Sequence, residues 1–293
     1  ALNTRPIQMK DFSWDVNVNF SKNSNKVKSL VDDVDMFELE KAPWLNVQVA
    51  AKVGENFGSI VGPDFKRNSN GDVLIDPTTG LPQYDTNNHV LGNASWDWTG
   101  GLSTTFTYKN LSFSALFDIK VGADLYSMSA RASYESGKAL ETLAGREEWY
   151  RSEEQRKAAG FPKGSPDWKP TGGFVAPGVI DNGDGTYRPN DIYVNPEDYW
   201  MSVCRNAPSA FIFDNSYVKC REMTLSYRLP EKWLKKVVQA ATVSFVARNP
   251  FIVWKNIPNI DPDSNYNNTT GMGLEYGSLP SRRSYGFNIN VKF

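Results

Sequence analysis

Histidine, cysteine and long apolar runs are nearly absent from this chain, and each scarcity removes a class of function. One residue of 293 is histidine, His89, and two are cysteines, Cys204 and Cys220. Any Ser-His or Cys-His pair would have to use His89, which sits in the Asn-rich stretch Thr86 to Asn93 and is expected to be a solvated loop residue. Two cysteines do not make a zinc site, and one disulfide or two free thiols are equally open. The HExxH, CxxC, GxxxxGK[ST] and GxSxG patterns do not occur, so no enzymatic activity and no cofactor are expected.

No segment approaches the run of about 18 apolar residues that a spanning helix needs, which excludes a helical membrane protein without excluding a barrel. Excess charge of one sign is also missing. The 32 Lys and Arg balance 33 Asp and Glu, leaving no field to draw nucleic acid. Residue 1 is Ala, and no basic and apolar leader follows it, as expected of a mature chain or a fragment.

Aromatic residues are plentiful, at 13% of the chain, although mean hydropathy is -0.48. Membrane barrels combine these traits, because aromatic belts mark the interfaces while lumen and loops stay polar. The C-terminal run places Tyr285, Phe287, Ile289, Val291 and Phe293 on one face of a strand and Ser284, Gly286, Asn288, Asn290 and Lys292 on the other. Phe12, Trp14, Val16, Val18 and Phe20 alternate in the same way with Ser13, Asp15, Asn17 and Asn19. A hairpin is predicted with Leu102, Thr104, Phe106 and Tyr108 on one strand, a turn at Lys109-Asn110, and Leu111, Phe113, Ala115, Phe117 and Ile119 on its partner. Ser112, Ser114, Asp118 and Lys120 fill the other face with one apolar residue, Leu116. Further strands are predicted over Tyr217 to Leu229 and Ala241 to about Asn249.

The remainder is read as connection. A weaker extended region runs from Val27 to Gly62, broken by Pro43 and Gly54. Residues 63–98, 121–213 and 250–281 are predicted as long loops, with a helix from Ser127 to Ala159 carrying Ala139, Leu140, Leu143 and Ala144 at helical spacing. Glu231 to Ala240 is predicted as a short helical turn. Short and long connections alternate, as in bacterial barrels, with the long ones expected outside the cell. The predicted fold is an all-β antiparallel transmembrane segment of about seven strands.

The motifs Lys10-Asp-Phe-Ser-Trp-Asp, Leu91-Gly-Asn-Ala-Ser-Trp-Asp-Trp-Thr-Gly-Gly-Leu, Tyr108-Lys-Asn-Leu-Ser-Phe, Ser216-Tyr-Val-Lys-Cys-Arg-Glu-Met-Thr-Leu-Ser-Tyr-Arg-Leu-Pro230 and Arg248-Asn-Pro-Phe, with terminal Phe293, occur in order. Together they resemble the C-terminal portion of SusC/RagA-type TonB-linked outer-membrane transporters of Bacteroidetes. The resemblance implies a plugged barrel of about 22 strands, whose plug and N-terminal wall lie outside this chain. It also implies import of oligosaccharides or peptides beneath a SusD-like surface lipoprotein, energised through TonB. The other implied partners are outer-membrane lipid and lipopolysaccharide, the rest of the barrel, and further transporter-lid pairs in an oligomer. The rival readings are a non-transporting surface barrel or adhesin and a soluble β-rich carbohydrate-binding or hydrolytic module.

On this reading Asp15, Asn17, Asn19, Ser112, Ser114, Asp118, Asn288 and Asn290 face the lumen. Phe12, Trp14, Phe20, Tyr108, Tyr227, Tyr285 and Phe293 anchor the wall in lipid. Trp149, Tyr150, Trp168, Tyr187, Tyr193, Tyr199 and Trp200 fall in the longest loop and are candidate substrate contacts, with internal packing as the alternative. Glu147-Glu148 and Glu153-Glu154 interleave with Arg146, Arg151, Arg156 and Lys157, as on a solvated helix face. Asp181-Asn-Gly-Asp-Gly-Thr and Asp261-Pro-Asp-Ser-Asn are oxygen-rich enough to hold a loop calcium, with a plain turn as the alternative.

Overall fold

The computed structural model describes every residue except 32, 43–45, 235–237 and 268. Its frame is one antiparallel seven-stranded sheet, the wall, built in spatial order from Leu2–Gln8, Phe12–Lys22, Trp98–Tyr108, Leu111–Val121, Tyr217–Arg228, Ala240–Lys255 and Ser284–Lys292. Neighbours in the wall are neighbours in sequence among the wall strands. The three short connections therefore share one end and the three long ones the other. At the short end Lys109 takes a left-handed φ of 50° in its two-residue turn, and the Asn110 amide nitrogen donates to the Arg228 carbonyl at 2.9 Å.

Register turns each strand's alternation into rows that cross the sheet. Trp14 pairs with Phe106, Phe106 with Phe113, Phe113 with Leu225, Leu225 with Phe245 and Phe245 with Phe287. A polar row runs from Ser13 through Thr107, Ser112, Ser226 and Ser244 to Asn288. A slip of one residue in any strand would exchange the faces, so this agreement over successive pairs fixes the register.

Two aromatic girdles bound the apolar face. Phe12, Tyr108 and Tyr227 lie at the short-turn end, and Phe20, Trp98 and Trp254 at the other. From Tyr108 to Trp98 the strand spans roughly 33 Å at ~3.3 Å per residue. Tilted by ~40°, that is the ~25 Å height of an outer-membrane apolar band. The wall is not where the protein's own core lies. The buried cluster of Val47, Ile60, Ile75, Tyr126, Tyr199, Val203, Phe211 and Leu274 sits in the long connections, while Phe106, Leu225, Phe245 and Phe287 stay exposed. Among the described residues no helix is long and apolar enough to cross a membrane.

Several predicted boundaries are corrected. Leu2–Gln8 is an additional wall strand, missed because Pro6 and a register shift between Thr4 and Ile7 break its alternation. The extended region 27–62 is not wall. It supplies Met36–Lys41, Gln48–Lys52 and Ser59–Phe65 to a separate four-stranded sheet, completed by Tyr84–Asn93 from the segment expected to be loop. The expected break at Pro43 lies outside the described residues. The single helix over Ser127 to Ala159 is two, α1 (Met128–Glu135) and α2 (Arg146–Ala158), separated by a 3-10 turn at Leu140–Leu143. Gly137, just past the end of α1, and Gly145, the residue before α2, take positive φ and interrupt the helical register, leaving Leu140 and Leu143 exposed. A further helix, α3 (Pro196–Asn206), occupies ground read as loop; Asn195 caps it through a 3.1 Å bond from the Glu197 amide. The sixth wall strand continues to Lys255, beyond the expected start of the last loop. After Pro230 the helical turn covers Glu231–Trp233, and residues 235–237 lie outside the described part.

Candidate functional site

Alternation delivers the predicted lumen residues to one face. Asp15, Asn17, Asn19, Ser112, Ser114, Asp118, Asn288 and Asn290 all lie on the polar side of the wall, and Phe12, Trp14, Phe20, Tyr108, Tyr227 and Tyr285 all lie on the opposite side. Phe293 follows the last strand and is 74% exposed. Trp98 and Trp254 lie on the same apolar side and were missed, because bulges in the fifth and sixth strands and the Trp-rich loop entry hid their phase.

Near the long-loop end the polar face carries charges that hold the last connection, residues 256–283, like a strap. Lys219 is 2% exposed, and its Nζ donates to Asp263 Oδ2 at 2.6 Å, Asp261 Oδ1 at 3.1 Å and Ser281 Oγ at 2.5 Å. Arg221 pairs with Asp263 and with Asp118 across the sheet, each at 2.5 Å, and the Tyr217 hydroxyl donates to Asp263 Oδ1 at 2.8 Å. A bulge between Cys220 and Glu222 leaves Arg221 on the same side as Lys219 and returns Glu222 to that face. Burial pushes the Asp263 carboxyl upward, but hydrogen bonds from Arg221, Lys219 and Tyr217 outweigh it and hold the group well below the usual carboxylate range. Asp261 is lowered in the same way against its burial, by Ser281, the Asp263 amide and Lys219.

Asp118 thus serves the clamp as well as lining the face. The candidate calcium carboxylates Asp261 and Asp263 face cations of the protein itself. The other candidate loop is a hairpin tip between Val179–Asp181 and Tyr187–Pro189, where the Gly183 amide donates to Asp181 and Thr186 to Asp184. Lys219 and Arg221 were missed as functional residues. Their signal was two cations at alternate positions of one strand, 219 and 221, on the face that also carries Tyr217 and Glu222.

The strap has a second clasp. Glu275, 1% exposed, accepts from Ser127 Oγ at 2.7 Å, from the Ser129 amide at 3.0 Å and hydroxyl at 2.7 Å, and from the Ser278 amide at 3.0 Å, placing its charge at the N-terminus of α1. Between the clasps Gly273, with φ of 87°, passes so near Ala94 that an added Cβ would lie 2.4 Å from that side chain. Glu275→Gln replaces one accepting carboxylate oxygen with an amide NH2 that faces donors and is expected to cost about 1–3 kcal/mol. A lowered thermal transition of the purified protein would register it, and an unchanged transition would remove Glu275 from this role.

The seven loop aromatics do not converge. Tyr199 and Trp200 pack with Tyr134, Phe174 and Phe211, with centroid separations of 4.5 Å for Phe174 and Tyr199 and 4.7 Å for Tyr134 and Trp200. They line an apolar cavity of about 270 Å³ inside the loop core. Trp168 packs on Phe161 at 5.6 Å, and Trp149 and Tyr187 are half-buried. Tyr150 and Tyr193 keep exposed rings. Both cysteines are free and buried; burial raises the Cys204 thiol to about 12, so it stays protonated and inert. His89 lies on the strand Tyr84–Asn93, 3.0 Å from Asp85. In α2, Glu153 pairs with the buried Arg156 at 2.9 Å, and Glu147 with exposed Arg151.

No family model matches the chain. Among curated proteins it is 24% identical over 325 residues to TonB-dependent receptor P3 of Formosa agariphila and 21% identical over 306 residues to TonB-dependent receptor SusC of Bacteroides thetaiotaomicron. Each alignment covers 100% of this chain, but only 28% and 26% of the respective relative. Among solved structures it superposes on the RagAB peptide transporter with a TM-score of 0.63 at 17% identity, covering 99% of this chain and 28% of that one. The RagAB peptide importer in its open-open state gives 0.59 at 16%. The resemblance to SusC/RagA-type TonB-dependent receptors and the all-β fold therefore stand on both sequence and structure. These relatives are described as receptors and transporters rather than enzymes.

Proposed function

We propose that this chain forms part of the wall, with its outer loops, of an outer-membrane nutrient importer of the SusC/RagA type. The observation that carries the reading is the uncovered apolar face. Its rows run unbroken across the wall between two girdles and are not covered by the buried core, which lies among the loops. In water a face of this extent would be an aggregation surface, whereas lipid is its natural solvent. Further strands of the longer protein would pair with the wall's two edges, since open edges are not tolerated in lipid.

The polar face then lines the path, and passage is gated rather than chemical. The long connections stand outside the cell, where a SusD-like lipoprotein would cover them. A TonB-contacting segment elsewhere in the longer protein would deliver energy, and transporter-lid pairs would assemble into an oligomer in contact with lipopolysaccharide. Tyr150 and Tyr193 are the ring surfaces available to cargo or lid, while Tyr199 and Trp200 shape the loop body. The test is deletion of the gene in the source bacterium, followed by growth on separate oligosaccharides and peptides as sole nutrients. Loss of growth on one class, restored by the intact gene, supports import; unaltered growth on every class together with absence of the protein from the outer-membrane fraction overturns it.

A further inference from the structure

Where the strap crosses the end of the wall it roofs a cavity of about 220 Å³, floored by Trp96, Lys120, Asp124, Asn215 and Tyr217 and closed on the strap side by Asp263. Its two clamp residues are already committed: the Tyr217 hydroxyl donates to Asp263, and Asp263 accepts from Lys219 and Arg221. Asn215 is fixed too, its Nδ2 donating to the Pro262 carbonyl at 3.0 Å. Two charges in the same cavity are left over.

Lys120 Nζ rests 5.5 Å from the centre of the Trp96 ring and 5.9 Å from that of Tyr217, and among the described residues no carboxylate oxygen comes within 4.0 Å of it. Its ammonium is thus held in place by ring faces, with its charge unneutralised. Asp124 accepts one bond, from the Asn93 amide to Oδ2 at 2.9 Å, and among the described residues Oδ1 has no partner. Burial, with Asp214 and Asp97 adding to it, lifts the Asp124 carboxyl above the ordinary range against the lowering by the Asn93 amide. A cation and an anion therefore line one partly enclosed space without reaching each other. Unpaired charges in such a site are costly unless a guest pairs with both.

We propose that this cavity binds a small zwitterion of the α-amino-acid class, its carboxylate toward Lys120 and its ammonium toward Asp124. A neutral sugar fits less well, since the Trp96 and Tyr217 faces it would stack on are taken by the Lys120 ammonium. The volume falls below the ~300–1,000 Å³ of pockets for larger ligands, which suits one small molecule and excludes a polymer. The site is therefore distinct from a path for extended cargo, and its existence does not depend on what the longer protein imports.

Titration calorimetry of the intact protein in detergent, with L-alanine, L-alaninamide, L-lactate and glucose as probes, tests the assignment. L-Alanine should bind about tenfold or more tightly than alaninamide, which lacks the carboxylate, and than lactate, which lacks the ammonium. Glucose should not bind. Lys120→Gln should remove the advantage over alaninamide, and Asp124→Asn, which keeps an oxygen for the Asn93 amide, should remove the advantage over lactate. Absence of alanine binding to the unaltered protein, or equal binding of lactate or glucose, would overturn the proposal whatever the variants do.

Discussion

Lys219→Met is expected to destabilise the strap by about 3 kcal/mol or more, because removing one member of a buried ion pair leaves its partner's charge without compensation. Asp263 keeps Arg221, but the Asp261 side chain, 9% exposed, loses the one cation that lies within 4.0 Å of it among the described residues. The effect should be local. Limited proteolysis should cut within residues 256–283 while the wall keeps its heat-modifiable migration on gels. Pairing the change with Asp261→Asn removes the orphaned charge and should restore most of the protection; a double variant as labile as the single one would show that the cluster is not what holds the strap.

The same clamp has a pH signature. Asp261 and Asp263 have folded-state carboxyls lowered below their unfolded values. Their contribution is therefore complete above the unfolded carboxyl pKa of about 4 and is lost as pH falls through the lower folded values. Protease resistance of the strap should stay flat from pH 7 to pH 5 and decline only in stronger acid. A decline centred near pH 6 would point to a different titrating group.

The second large effect separates the two faces of the wall with adjacent residues. Met223 lies on the apolar face, paired with Ala115 and Ala247, in a row near the middle of the band between the girdles. Thr224, the next residue, lies on the polar face, paired with Ser114. Met223→Arg is expected to cost about 2–4 kcal/mol in lipid, whereas Thr224→Arg should be close to neutral. Urea unfolding of the protein in lipid vesicles measures both. Equal costs at the two positions would mean that the faces do not see different solvents.

The wall was legible because a two-residue period survives any change of neighbour. Phe12 to Phe20, Leu111 to Ile119 and Tyr285 to Phe293 each carry a whole face, and pairing had only to bring like faces together. Leu2–Gln8 was not legible, since an edge strand with Pro6 and a register shift keeps no clean period. The loop body failed for the opposite reason. Its strands are buried on both faces, as in Val49-Ala-Ala51 and Ile60-Val61, so alternation is lost. Its helices are cut by Gly137 and Gly145 into pieces too short to show a long amphipathic stripe. The clamp was half legible. Asp261 and Asp263 stood out as an oxygen-rich loop, but their partners Lys219 and Arg221 lie about forty residues away and are brought to them only by the strap's path. Among the seven loop aromatics, ring counting could not separate Tyr199 and Trp200, which close a core, from Tyr150 and Tyr193, which remain outside.

Cysteine scanning along Leu111–Val121 in intact outer membranes, with a charged maleimide that reacts only in water, tests the central claim most directly. The native thiols Cys204 and Cys220 are buried and give a low background. Labelling should alternate, with Ser112, Ser114 and Leu116 positions reacting from the aqueous side and Phe113, Ala115 and Phe117 positions protected by lipid. Uniform labelling of both sets, or protection of the polar set with exposure of the apolar one, would contradict a wall that stands between lipid and a water-filled path.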